Sequence, residues 1–294
     1  MEVKTNTRAE RLISLPAVIM VAVVTQGLFL ATIILSFVKW VVIRPDMGIS
    51  FAGFKNYAWI FSVPQTYEVI WNTISMTAIS LALCLSLGMV FALLLNRYFP
   101  LQKLCRTLIL IPFFMMDAVV GIIWKTLLLH PSFGISGHLA QLMGFAPPDF
   151  IGQHAFSTVI MMIVWRWTPF FVLILLAGLQ GISSEVIESA KIDGASAVRT
   201  LFQIKIPAIR YHVEVATMLG LIFILKVFGL IYVTTSGGPG FETTNLPFQV
   251  YKINHLKWDV GQASGYATLM VIMTLVVIIM LFKFIRKQIQ KVEA

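Results

Sequence analysis

Hydrophobic positions along this chain come in long unbroken runs, and polar residues gather in the gaps between them. Six runs are long enough to cross about 30 Å of hydrocarbon as helices: Leu15–Val38, Trp71–Leu95, Leu104–Leu128, Phe156–Leu179, Val213–Thr235 and Ala263–Phe284. The first run is uncharged and lacks a small-residue cleavage pattern, so it reads as a retained helix rather than a signal peptide. The third contains Pro112 and Asp117. A carboxylate at that depth is costly and is expected to face a bundle interior or a wet cavity. On one continuous helix, the i, i+4 and i+7 spacing places Asp117 on a face with Phe113, Phe114, Gly121 and Trp124. In the fourth run Pro169 predicts a kink that frees a backbone carbonyl, and Arg166 is expected either to line a cavity or to pair with a carboxylate, the structural role being favoured.

One gap has a pattern of its own. Glu185 to Pro207 reads EVIESAKIDGASAVRTLFQIKIP, which predicts two short helices joined by a tight turn. Ser183 or Ser184 caps the first helix, and Glu185 in its first turn suits the helix dipole. Asp193-Gly194 ends it, because Gly tolerates left-handed backbone. Ser196 caps the second, where Val198, Leu201 and Phe202 follow helical spacing, and Pro207 stops it. A small amphipathic knob between two membrane helices is suited to docking in another protein's groove.

Composition agrees with the runs: 58% of residues are hydrophobic and 12% charged, far from soluble averages. Lys and Arg near span ends favour the cytoplasmic side. Fourteen of them lie on one side if both termini and the 185–207 loop are cytoplasmic, against six on the other. Residues 1–14 then form a cytoplasmic lead, 15–285 one transmembrane domain and 286–294 a cytoplasmic tail. The net charge of +9 follows from this topology and does not indicate nucleic-acid binding. Cys84 and Cys105 suggest neither a disulfide nor a metal site, and His130, His138 and His154 are too loosely spaced for one. The sequence has no G-x-x-x-x-G-K-[ST] loop, so ATP must be handled by another chain if it is used.

The loop resembles the "EAA" coupling loop of permease subunits of ABC importers. Glu188, Ala190, Gly194, Ile204 and Pro207 match its pattern, while Ser189 and Ile206 depart from it mildly. Ile192-Asp193-Gly194-Ala195-Ser196 is similar to the maltose-type, carbohydrate branch. Phe51-Ala-Gly-Phe-Lys-Asn-Tyr57, Trp71-Asn72-Thr73, Pro131-x-Phe133-Gly134, Trp165 to Phe170, Lys226 with Tyr232 ahead of Gly237-Gly238-Pro239-Gly240, and Trp258 to Ser264 extend the resemblance over roughly 15–285. Gly229 stands where such sequences commonly have Asp, and Asp117 lies near where they usually have Pro.

The resemblance implies an all-α fold of six transmembrane helices with a cytoplasmic coupling helix. It implies coupling to an ATPase through Glu188, Ala190, Asp193, Gly194, Ala195 and Pro207. It also implies a second, non-identical permease subunit, two cytoplasmic ATP-binding subunits that hold ATP-Mg, an extracytoplasmic solute-binding protein, and a place in a bacterial inner membrane. No cofactor is expected in this chain. Fragments such as Ile111 to Met116, Trp124-Lys125 and Gly240 to Pro247 look most like sorbitol/mannitol-type polyol permeases. Asp117, Trp124, Lys226 and Tyr232 are the candidate substrate path. Two other classes compete: an ion-coupled secondary transporter, which calls for inverted repeats and paired broken helices at midplane, although the six runs show no obvious duplicate, and a membrane-embedded enzyme, which calls for a cluster of titratable groups on facing helices.

Overall fold

The computed structural model describes residues 7–293, with side chains described from Leu15 to Met280 and at Lys283. The basic side chains expected on the 1–14 lead and the 286–294 tail lie outside the described residues.

The chain begins with α1 (Thr7–Ser36), whose end leads into a small hairpin, β1 (Val38–Lys39) and β2 (Ser50–Phe51), and then α2 (Lys55–Ser62). There follow α3 (Pro64–Leu95), α4 (Gln102–Phe114), α5 (Asp117–Ile122) with a π-helical continuation Ile123–Leu128, α6 (Ile135–Leu142), α7 (Phe150–Gln153) and α8 (Ala155–Gln180). The loop after α8 holds α9 (Ser184–Ile192), α10 (Ala197–Thr200), a π-helical stretch Leu201–Lys205 and α11 (Ile206–Ala208). The remainder is α12 (Arg210–Leu225), α13 (Gly229–Thr234), α14 (Leu246–Tyr251), a π-helical stretch Lys252–Leu256 and α15 (Val260–Glu293).

Among the described residues, five stretches are long and apolar enough to cross a membrane as they stand: Leu15–Ser36, Pro64–Leu95, Ala155–Gln180, Arg210–Thr234 and Val260–Met280. The sixth expected span, Leu104–Leu128, is not one helix. It is split into α4 and α5, bent by 98° across Met115 and Met116. Pro112 has no N–H to extend the ladder, Met115 and Met116 adopt extended backbone, and Met115 N turns back to Pro112 O at 3.2 Å. Phe113 and Phe114 therefore end α4, off the face that carries Asp117. The fifth span is also interrupted, at Lys226–Phe228 between α12 and α13.

The described residues form two compact units, one built from the chain up to Thr66 with Gln249–Ile272, the other from Tyr67–Phe248 with the chain from Met273 onward. In the first unit Val38 pairs with Phe51 and Lys39 with Ser50, and Val41 bridges to Asp259. Buried Asn56 donates to Ser36 O (2.8 Å) and Val38 O (2.9 Å), fastening α2 to the end of α1. The hydroxyls of Thr66 and Tyr266 lie 2.7 Å apart in the core. Phe51 and Phe54, from the aromatic motif, remain exposed, as suits interfacial rings.

The second unit is built on α8, the most buried of the spans, with α4 and α12 packed along it. Gly121 and Gly229 allow α5 and α13 to touch: a Cβ on Gly121 would come within 3.1 Å of Thr234 Cγ2, and one on Gly229 within 3.0 Å of Asp117 Cβ. Small residues permit such close approach of membrane helices. The turn through Gly237-Gly238-Pro239-Gly240 and the chain after it are held by buried and half-buried hydrogen bonds. Asn72 donates to Phe241 O (2.8 Å), Leu246 N donates to Thr73 Oγ1 (2.9 Å), and Thr244 Oγ1 donates to Gly237 O (2.8 Å).

Candidate functional site

The loop between α8 and α12 folds from local signals. Ser183 Oγ accepts from Glu185 N (3.2 Å) at the start of α9, and Ser196 Oγ accepts from Arg199 N (3.3 Å) at the start of α10. Between them Gly194 has φ +74°, and its left-handed turn brings Ala195 N to Ala190 O at 2.9 Å. Ala190 and Thr200 point inward, while Glu185, Glu188, Lys191, Asp193 and Arg199 are exposed. Apolar side chains stand out among these charges: Val186, Val198, Phe202 and Ile192, the last 85% exposed. An exposed apolar cluster rimmed by charge marks an interaction surface. Pro207 lies in α11, and the chain turns at Ile209 into α12.

Of the four candidate path residues, Asp117 and Lys226 fall at the two helix breaks, while Trp124 and Tyr232 lie further along the helices that follow them. Asp117 opens α5, where the helix dipole favours a carboxylate, and its Oδ1 lies 3.1 Å from Arg166 Nε. The single hydrogen on that Nε goes to Met115 O at 3.0 Å. The carboxylate is thus attracted to the guanidinium without a well-aligned hydrogen bond, and Arg166 Nη1 and Asp117 Oδ1 are both buried without a hydrogen-bond partner. The guanidinium also sits 4.7 Å from the centre of the Trp167 ring, a cation–π arrangement. Arg166 therefore spans the break, holding the last turn of α4 and the first residue of α5.

Trp124 lies in the π-helical continuation of α5, edge-on to Trp165 with ring centres 5.6 Å apart, and its Nε1 has no hydrogen-bond partner. It forms part of the wall of a cavity of about 1120 Å³, otherwise apolar apart from Ser157 and Thr168, between α3, α4 and α8. Lys226 is exposed at the second break, 5.2 Å from the Phe223 ring centre. Tyr232 is exposed on α13 and stacks on Phe228 at 5.6 Å. The structure brings Asp117 against Gly229, so an acid stands on α5 at the place where the family resemblance expects one on α13.

Sequence reasoning passed over the residues that fasten the second break and the junction of α3 with α4. Asn245 donates to Val227 O (2.6 Å) at the second break while its Oδ1 accepts from Phe248 N (3.0 Å). Arg106 Nη2 donates to Leu95 O (2.8 Å) at the end of α3. With its amide oxygen toward Arg106, Gln180 accepts from Nη1 at 3.2 Å and from Nη2 at 3.0 Å. A usable signal was the polar character of Asn245 beside an apolar run, since it is buried and buried polar groups need partners.

Two interrupted spans packed through glycines, with an apolar-faced helical loop leading from the unbroken α8 into one of them, define a multi-pass membrane transport subunit. The chain belongs to the family described as the inner membrane component of binding-protein-dependent transport systems, which matches residues 84–292. It is similar to a probable ABC transporter permease of Sinorhizobium fredii, 32% identical over 243 residues that cover 82% of this chain and 78% of the relative. A sulfoquinovosyl glycerol transport system permease of Agrobacterium fabrum is 31% identical over 80% of this chain and 77% of its own. A trehalose/maltose transport system permease of Thermococcus litoralis is 31% identical over 78% of each. Among solved structures, a chain of a bacterial ABC transporter involved in import of the acidic polysaccharide alginate superposes with a TM-score of 0.81 at 20% identity, covering 95% of both chains. The chain is an ABC importer permease, a transport subunit and not an enzyme. The membrane-enzyme and secondary-transporter readings fall with that assignment, although the second had asked for the broken helices that are present here.

Proposed function

We propose that this chain forms half of the translocation path of an ATP-driven importer of sugars or sugar alcohols in a bacterial inner membrane, with both termini cytoplasmic. It pairs with a second, non-identical permease subunit and receives solute from an extracytoplasmic binding protein. It is driven by two cytoplasmic subunits that bind ATP-Mg, against which the loop docks through Glu188, Ala190, Asp193, Gly194, Ala195 and Pro207. The observation that carries this reading is the exposed apolar face of α9 and α10, capped at Ser183 and Ser196 and turned at Gly194, in a chain that has no phosphate loop of its own. Closure of the ATPases would draw two such loops together and turn the path from inward-open to outward-open.

For the solute, relatives named for trehalose/maltose and sulfoquinovosyl glycerol support a polyhydroxy compound; the Ile111–Met116 and Gly240–Pro247 fragments favour a sugar alcohol. Asp117 would offer a charged acceptor to hydroxyls, Trp124 and Tyr232 aromatic faces to C–H edges, and Lys226 a donor. Co-expression with candidate ATPase and binding-protein subunits from the same organism tests the proposal. The loop should retain an ATPase through purification, and the binding protein should show saturable binding in a sorbitol, mannitol and maltose panel. An importer that assembles without any ATPase would overturn the coupling assignment; a binding protein that ignores all three would overturn the solute class.

A further inference from the structure

Two side-chain clamps hold α4 to α8, one near each end of α4. At the loop-proximal end Arg106, in the second turn of α4, donates to Leu95 O at the close of α3 and, with the Gln180 amide oxygen turned toward it, also grips Gln180, the last residue of α8. Gln102, the first residue of α4, adds donations to Leu95 O (2.8 Å) and Arg97 O (3.0 Å). At the other end, nine residues along and roughly 13 Å away at helical rise, Arg166 of α8 holds Met115 O and faces Asp117. Between the clamps Phe113 stacks on Phe170 (5.8 Å) and meets Trp167 edge-on (5.8 Å); Trp167 stacks in turn on Phe223 of α12 (5.1 Å).

Helices in contact only through apolar side chains can shear by small sliding movements. A guanidinium that bonds a backbone carbonyl and a side-chain oxygen in fixed fork geometry resists that slide. Only Gly181, Ile182 and Ser183 separate Gln180 from α9, and Gly181 N still bonds to Ala177 O (3.2 Å) and Gly178 O (3.1 Å). Displacement of α9 is therefore delivered to the base of α8 with little slack. Beyond the far clamp the chain bends by 98° into α5, which packs on α13 through Gly121 and Gly229.

We propose that Arg106 is a positioning residue for energy coupling: with Arg166 at the far end, it makes α4 and α8 one lever that carries movement of the 185–207 loop to the half-helix pair α5–α13. The inference rests on the ATPase-docking reading of that loop.

The test uses the assembled importer with Cys105 replaced by Ser, carrying bimane either on Ser189→Cys in α9 or on Val119→Cys in α5, both at exposed positions. MgATP is the only probe. In the otherwise unaltered complex both labels should change emission on adding MgATP. In Arg106→Gln and Gln180→Leu the α9 response should persist, while the α5 response falls at least threefold; Arg106→Lys, which keeps a donor, should recover more than half of it. An undiminished α5 response in the two assembled variants refutes the lever, as does a wild-type complex in which α9 responds and α5 does not. If Arg106→Gln does not assemble, Gln180→Leu decides alone, because it leaves Arg106 bonded to Leu95 O. A wild-type complex that binds ATPase but shows no α9 response overturns the docking reading itself and the lever with it.

Discussion

Gly194 offers a quantitative test of the docking loop, because the two costs of adding a side chain there can be separated. Its φ of +74° lies in the left-handed region, yet nothing stands within 4 Å of where a Cβ would be built. A substitution therefore meets no clash, and its local cost is the backbone penalty alone, about 1–2 kcal/mol for an ordinary residue. That corresponds to a factor of roughly 5–30 in the population of the native turn. Asn tolerates this geometry better than Ala, and Asp has the shape of Asn with a charge added. Gly194→Ala should reduce ATPase retention and ATP-driven uptake by up to that factor. Gly194→Asn should fall between Ala and wild type. Gly194→Asp should insert in the membrane normally but fall well below Asn, because it adds a fourth carboxylate beside Glu185, Glu188 and Asp193 on the docking surface. Retention is read by co-purification and uptake in proteoliposomes. Wild-type retention and uptake in all three variants would mean that this turn does not face an ATPase. An Asp variant indistinguishable from Asn would remove charge from the account.

Topology, the path and the second break can each be probed directly. In a background lacking Cys105, which is exposed, cysteines at Ser132 and Ser236 should react with an impermeant thiol reagent added outside intact cells, and one at Ser196 should not; the reverse pattern inverts the orientation. Asp117→Asn should raise the solute concentration for half-maximal uptake by roughly tenfold or more, the loss of a charge-assisted hydrogen bond of about 1.5–3 kcal/mol. The Arg166–Met115 contact and assembly should survive, so a failure to assemble with unchanged half-saturation would make Asp117 a helix fastener only. Asn245→Ala should destabilise the detergent-solubilised protein by about 1–3 kcal/mol, because it leaves Val227 O and Phe248 N buried without partners; an unchanged melting temperature would show that water reaches the break.

The parts of the structure written in neighbouring residues were legible in the sequence. Ser183, Asp193-Gly194 and Ser196 specify caps and a turn within a few positions of themselves, and the structure places caps and a left-handed glycine there. The spans were legible because long apolar runs have one main destination. The break in the third span was not, since its apolar run continues across Met115 and Met116. Pro112 weakens the helix there, but what holds the exposed carbonyl of Met115 is Arg166, fifty-one residues away in sequence. Arg106 and Asn245 were missed for the same reason: each satisfies a backbone carbonyl on another element, and no periodicity within one segment reports that.

The π-helical stretch Leu201–Lys205 changes how α10 and α11 share an angular frame. A π-turn carries one residue more than an α-turn, and one residue is about 100° of helical rotation. A wheel drawn as though one α-helix ran from Ala197 to Ala208 would misplace every side chain beyond Lys205 by more than a quarter turn, before the chain turns at Ile209. The residues presented by α10 and those of α11 are thus out of phase. Deleting Gln203 or Ile204 would rotate the exposed face of Val198 relative to α11 and away from its present bearing. A sequence gap of one at this place in a related chain would signal a redirected docking face and not a shortened loop.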